Sequence, residues 1–281
     1  MITICILASN RLDLLKRCVQ SVMRLRRLET SKVFLFIQRG NQEVEKYAFE
    51  NLELFDLVTY ITKKSDVAAE NITYNREIVY RTAFGFDDCE LTIFLEDDVE
   101  VSRDLLEFSI KSNDFFKNKK DFHGINYGSV LVHNRLNTYS LLRYGMHGPA
   151  SAISRQAWEK YLINQRKLSS FIHFDGMIEY VLKTGFMVTP NRSLYIDNGI
   201  EGSHTGPDDI SFFKQLKQSF RNDVGTRNIV YERVQMDANW RYPANRYKRY
   251  LNLLYKLILF MAARSRTRNI AQKLMHYSNF F

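Results

Sequence analysis

Cysteine is scarce: Cys5, Cys18 and Cys89 are the three in 281 residues. They are odd in number, widely spaced and free of metal-ligand spacing, so they read as reduced thiols and exclude a disulfide framework. Cys5 falls in an apolar run and is expected in the core. No Gly-rich fingerprint follows the first apolar run, which argues against a dinucleotide cofactor. No apolar stretch approaches the ~20 residues that cross a bilayer. No basic leader precedes Met1–Leu7, which already reads as a strand; the expectation is a protein of the cytosol or of the cytosolic membrane face. Internal repeats and low-complexity linkers are missing too.

Acidic residues are missing from one region only. After Asp237 there is no Asp or Glu, while residues 240–281 carry nine Lys or Arg. The formal charge of +9 is therefore the property of one tail, and the rest of the chain is balanced. No recognised nucleic-acid motif accompanies that charge, so nucleic acid is not the expected partner.

What is present centres on Leu91–Asp98, an apolar run ending in Glu96, Asp97 and Asp98. The run reads as a strand buried on both faces. Three carboxylates cannot be buried without partners. A divalent cation holding a phosphate is one answer, since Mg²⁺ and Mn²⁺ take oxygen ligands and often only one or two protein carboxylates. The other answer is structural: Asp98 or Ser102 starts a helix over Arg103–Asn113.

The pattern around this run is βαβαβαβ. Strands are expected at 2–8, 33–38 and 57–61, with helices at 12–25, 42–51 and 71–84 between them. That order predicts a mostly parallel sheet with covering helices. Farther on, Gly124–Val132, Gly148–Ser154, Phe186–Thr189 and Arg192–Ile196 are strand candidates. Arg155–Asn164 and Asp175–Lys183 read as helices, and Asn134–His147 and Asn198–Asp209 as loops.

Four collinear segments then resemble a known family. They are Ala8-Ser9-Asn10-Arg11 through Arg17-Cys18; Tyr80–Gly85; Phe94–Val101 with Asp104 and Phe108; and Phe174-Asp175 through Gly185, Pro190, Arg192-Ser193 and Gly202-Ser203-His204. Together they resemble GT-A glycosyltransferases of the N-acetylglucosaminyltransferase I type. Two departures stand out. Gln38-Arg39 occupy the place of an acidic residue that helps to hold uracil, and Val79 replaces a His.

The resemblance implies an α/β fold of the GT-A (Rossmann-like) type, with a mixed, mostly parallel sheet and covering helices. Residues 1–236 form that domain. It implies an inverting, metal-dependent transfer from a nucleotide sugar, with Mn²⁺ or Mg²⁺ as cofactor and UDP-N-acetylglucosamine as the donor. Asp98 is the expected metal ligand, and His204 joins it or contacts the diphosphate. Ser9, Asn10, Arg11, Gln38, Arg81, Glu96, Asp97, His147 and Gly148 are the expected nucleotide-sugar contacts. Asp175 is the expected catalytic base, with Glu179 as fallback; Asp175 equally suits a helix N-cap.

The remaining 237–281 read as a basic amphipathic helical tail. Asn245, Arg249, Asn252 and Lys256 form one polar stripe among Leu, Tyr, Ile and Phe. Such a helix suits an anionic lipid surface through residues 243–281, or packing on protein. The acceptor is then expected to be a lipid-linked or membrane-proximal glycan in surface polysaccharide synthesis, on the cytosolic face of a bacterial inner membrane. A nucleotidyltransferase and a non-catalytic membrane-attached binding module are the rival readings.

Overall fold

A computed structural model describes residues 1–61, 68–128, 139–142, 149–162, 185–190 and 193–199. All of these belong to one compact unit, Met1–Ile229. The expected helix at 175–183, most of the loop at 198–209 and the tail from 237 lie outside the described residues.

The sheet begins as the periodicity requires. β1 (Ile2–Ala8), β2 (Ser31–Gln38), β3 (Asp56–Tyr60) and β4 (Leu91–Glu96) pair in parallel in the order β3-β2-β1-β4. β1 and β4 are buried almost throughout because both faces are covered, which is why neither shows alternation. The helices between them are α1 (Leu12–Val22), α2 (Gln42–Glu50) and α3 (Ala68–Phe84). α1 buries Leu15, Cys18, Val19 and Val22 on one face. Side chains of that size contribute about 1.5–3 kcal/mol each when fully buried. α2 is started by Asn41, whose Oδ1 accepts from the Val44 N–H at 3.1 Å. On α3, the fully buried Tyr80 packs against Phe84, Phe94 and Trp158 and ties the helix to the sheet.

After β4 the chain leaves the sheet. It turns at Asp97-Asp98 into a short strand, β5 (Val99–Val101), and α4 (Leu105–Phe116) begins only after that. This corrects the expectation that Asp98 or Ser102 opens the helix. β5 separates Asp98 from the helix, and Asp104 stands directly before Leu105, with its N–H donated to the Ser102 hydroxyl at 3.3 Å. β6 (Phe122–Asn126), β7 (Tyr139–Leu142), β8 (Ala150–Ser154) and β9 (Phe186–Pro190) complete the sheet, and β10 (Tyr195–Asp197) pairs with β5. Among the described residues the sheet has eight strands in the order β3-β2-β1-β4-β8-β6-β9-β7. β8 runs antiparallel to both β4 and β6, and β7 antiparallel to β9. The architecture is therefore α/β with a mixed, mostly parallel sheet and covering helices, as expected.

β7 was expected to be loop. Four residues within an Arg- and Tyr-rich stretch give too short a pattern to read, and their pairing with β9 decides the conformation. Helix α5 (Arg155–Ala157) runs into a π turn at Trp158–Leu162 and accounts for the expected helix there. Gly124 sits at φ +150°, and a Cβ on it would lie 1.9 Å from the Ala152 carbonyl oxygen. Only glycine permits β6 and β8 to approach so closely.

Candidate active site

The parallel half of the sheet fixes where a ligand can sit. The chain passes from β1 through α1 to β2 on one side, and returns through α3 to β4 on the other side of β1. Ligands of such sheets bind at the carboxyl ends of the strands flanking that reversal. Ser9, Asn10 and Arg11 follow β1 there, Gln38 ends β2, Tyr60 ends β3, and Glu96, Asp97 and Asp98 end β4.

The carboxylates are buried and partnered unevenly. Asp97 is 2% exposed and both of its oxygens are engaged. Its Oδ2 accepts from the Ser9 N–H at 2.9 Å, and its Oδ1 from the Arg11 guanidinium. Arg11 also reaches Asp98 Oδ2 at 2.7 Å. Glu96 Oε1 pairs with Arg76, whose guanidinium lies over the Phe94 ring. Asp98 Oδ1 is buried and has no hydrogen-bond partner among the described residues. Burial, reinforced by the charges of Glu96 and Asp197, pushes Asp98 up to about 7, and Arg11 opposes the shift. Burial likewise raises Asp97 and Asp197.

Around this cluster the framework is braced. Arg17 of α1 pairs with Glu100 of β5, and the Ser21 hydroxyl accepts from the Val101 N–H at 3.0 Å. Asn198 donates its N–H to the Asp98 carbonyl at 2.8 Å and its side-chain amide to Glu100 at 3.0 Å. Cys18 lies beneath, its thiol raised well above the ordinary value by burial and then by Asp97. It therefore remains a neutral thiol. All three cysteines are free and buried.

The sequence-derived site residues divide into three groups. Ser9, Arg11, Glu96, Asp97 and Asp98 are brought together directly, and Asn10 and Gln38 stand at the same edge. Asn10 offers its carbonyl to the Asn41 amide at 3.5 Å. Arg81 is not brought there. It pairs with Glu77 and lies over Trp158, four residues after Ser154, the residue of β8 aligned with Leu91 at the opposite end of β4. α3 runs against the strands and rises about 1.5 Å per residue, so the arginine that reaches Glu96 is Arg76, five residues earlier. His147, Gly148, Asp175 and His204 lie outside the described residues. Sequence reasoning missed Arg76, Asp197 and Gly199. A basic residue at helical spacing before the acidic strand was the available signal for Arg76; the other two had none.

For a divalent cation the fit is favourable. Among the described residues, one carboxylate oxygen is buried without a partner, and four carboxylates face two guanidinium groups. Among the described residues no three His, Cys, Asp or Glu side chains converge into a complete shell. Ions that use one or two carboxylates and complete their shell with phosphate need no such group. A separate open groove of about 620 Å³ between α1 and α2 is lined by Lys16, Gln20, Met23, Arg24 and Tyr47 among others, and none of the described residues lining it is acidic.

Fold and site define the class: a Rossmann-like α/β protein with a mixed sheet and a buried acidic cluster at its switch point. No protein-family model matches the sequence, and no curated protein matches it. Among solved structures, the chain is similar to the mannosyltransferase PcManGT from Pyrobaculum calidifontis in complex with GDP-Man and Mn²⁺ (12% identity, 57% of this chain and 46% of that one, TM-score 0.39). It is similar to S. aureus TarS (10% identity, 82% and 45%, TM-score 0.48). S. aureus TarS 1–349 in complex with UDP-GlcNAc gives 10% identity, 75% and 64%, and a TM-score of 0.45. The chain thus spans 45% to 64% of the length of these structures. Likeness this remote assigns no function to the chain; its own residues must do so.

Proposed function

We propose that the protein is a metal-dependent, inverting GT-A glycosyltransferase that uses a nucleotide-sugar donor. The observation that carries this is Asp98 Oδ1, buried at the carboxyl end of the central strand without a partner among the described residues, in a cluster whose described carboxylates outnumber its described guanidinium groups. Mn²⁺ or Mg²⁺ bound at Asp98 would neutralise charge developing on the diphosphate leaving group.

The chain's own residues supply the rest. Ser9 and Arg11 hold Asp97, which fixes Arg11 beside Asp98; Arg76 holds Glu96 through Oε1, and Oε2 is the atom that would meet a ribose or sugar hydroxyl. Arg11 balances Asp98 until a cation or phosphate arrives. Asn10 and Gln38 face the nucleotide from the ends of β1 and β2. His147 and Gly148 contribute to the sugar pocket, and His204 joins Asp98 or the diphosphate. Asp175 takes the proton of the acceptor hydroxyl as that oxygen bonds to the anomeric carbon and the bond to the diphosphate breaks. The donor is UDP-N-acetylglucosamine and the acceptor a lipid-linked or membrane-proximal glycan of surface polysaccharide assembly. Residues 243–281 hold the enzyme on anionic lipid at the cytosolic face of the membrane.

A thermal-shift panel of nucleotide sugars with and without Mn²⁺ tests the reading. Stabilisation by one sugar nucleotide, dependent on Mn²⁺, is expected; ligand at a hundred times Kd contributes about 2.7 kcal/mol. Stabilisation by nucleoside triphosphates alone would instead indicate a nucleotidyltransferase. No metal-dependent response to any nucleotide sugar would overturn the proposal.

A further inference from the structure

We infer that Asp197 is a second carboxylate of the cation site and holds a divalent ion jointly with Asp98. The inference draws on the proposed function in requiring a divalent ion at Asp98.

The register brings the two together from 99 residues apart. β10 pairs antiparallel with β5 so that Asp197 stands opposite Val99, the residue after Asp98. The Asn198 N–H then closes on the Asp98 carbonyl at 2.8 Å. Gly199 lies between the two carboxylates. A Cβ built on it would stand 2.1 Å from Asp98 Oδ2 and 3.1 Å from Asp197 Oδ1.

The hydrogen bonds say which oxygens remain for a ligand. Asp97 is saturated by the Ser9 N–H and Arg11. Glu96 is turned toward Arg76. Asp98 Oδ2 is taken by Arg11, which leaves Oδ1, buried and without a partner among the described residues in a side chain 7% exposed. Asp197 makes one described hydrogen bond, from the Gly199 N–H to its Oδ1 at 2.7 Å, and that bond orients the carboxylate and leaves Oδ2 without a partner among the described residues.

Charge agrees with the geometry. Glu96, Asp97, Asp98 and Asp197, when ionised, face Arg11 and Arg76 and leave two negative charges uncompensated among the described residues. One divalent cation removes that excess. Hard cations favour carboxylate oxygens, and one or two of them suffice when water or phosphate completes the shell.

The test is Mn²⁺ binding by the full-length protein, read from the electron paramagnetic resonance signal of free Mn²⁺, with and without UDP. Wild type is expected to bind one ion. Asp197→Asn keeps the oxygen that accepts from Gly199 and should weaken Mn²⁺ at least tenfold, Asp98→Asn should weaken it further, and exposed Asp13→Asn should leave it unchanged. Wild-type affinity in Asp197→Asn with loss in Asp98→Asn would overturn the role of Asp197 and leave the glycosyltransferase reading intact. No Mn²⁺ binding by wild type would overturn both. A second measurement needs no variant. Fe²⁺ replacing Mn²⁺, with ascorbate and peroxide, should cleave the backbone near both 98 and 197; cleavage near 98 alone would overturn the inference.

Discussion

Gly199 lies against Asp98 so closely that a Cβ on the glycine would stand 2.1 Å from Asp98 Oδ2. That oxygen cannot simply move aside, because the side chain is short, buried and paired with Arg11. Gly199→Ala is therefore expected to displace the Asp98 carboxylate and to weaken Mn²⁺ at least tenfold. Manganese titration checks this, with circular dichroism to verify folding. Unchanged affinity would mean that the loop shifts instead of the carboxylate.

Arg76 and Glu96 form a second dependent pair. Removing Arg76 strips Glu96 of its cation and the Phe94 ring of the guanidinium at 5.1 Å. Breaking a fully buried pair costs about 3–5 kcal/mol. Glu96 retains 30% exposure and can rehydrate, so Arg76→Ala should destabilise by about 2 kcal/mol. Arg76→Lys should recover part of the stability. Urea unfolding measures both, and equal losses in the two variants would show that charge at this position contributes nothing.

The pH dependence follows from Asp98. Unfolded, it ionises near its ordinary value of 3.8, but in the fold at about 7. Between those values the folded protein holds a proton that the unfolded chain has released. Stability from this group therefore falls as pH rises through the window and levels off above about 7. Burial pushes Asp97 and Asp197 in the same direction. In EDTA the urea midpoint should be lower at pH 8 than at pH 5.5. Asp98→Asn should flatten the slope, and Mn²⁺ should restore stability at pH 8. A slope identical in wild type and Asp98→Asn would exclude this residue as its source.

Asp175 carries the proposed proton transfer. Asp175→Asn should lower turnover at least a hundredfold, within the usual span of general-base catalysis. Mn²⁺-dependent binding of the nucleotide sugar should stay within about twofold. If binding is lost with turnover, Asp175 is structural, and the helix-cap reading stands.

The tail makes a separate prediction. Each Lys or Arg near an anionic surface contributes about 1 kcal/mol, so deleting residues 243–281 should abolish sedimentation with phosphatidylserine vesicles. Co-sedimentation undiminished by the deletion would remove membrane attachment from the function of these residues.

The first four strands were legible because each is a short apolar run bounded by polar turns, and three intervening segments carry helical spacing. The acidic end of β4 was legible for the same reason: ionisable groups abutting a buried strand must surface or find partners. β7 and the late start of α4 were not, since pairing with β9 and the insertion of β5 are properties of distant chain. Arg81 and Arg76 mark the same boundary within one helix. Both are basic and both precede the acidic strand, and only the direction of α3 against the sheet decides which of them meets Glu96.

By itself, then, the sequence determined the α/β class and the Glu96-Asp97-Asp98 cluster at a strand terminus, through local periodicity and the cost of burying charge. Tertiary structure decided the partners. Arg11 arrives from the end of the adjacent parallel strand, Arg76 from the covering helix, and Asp197 with Gly199 from a strand pairing across 94 to 98 residues of chain. Interactions set by register between distant segments leave no periodic trace along the chain, and for that reason the geometry of this acidic cluster appears only in the folded protein.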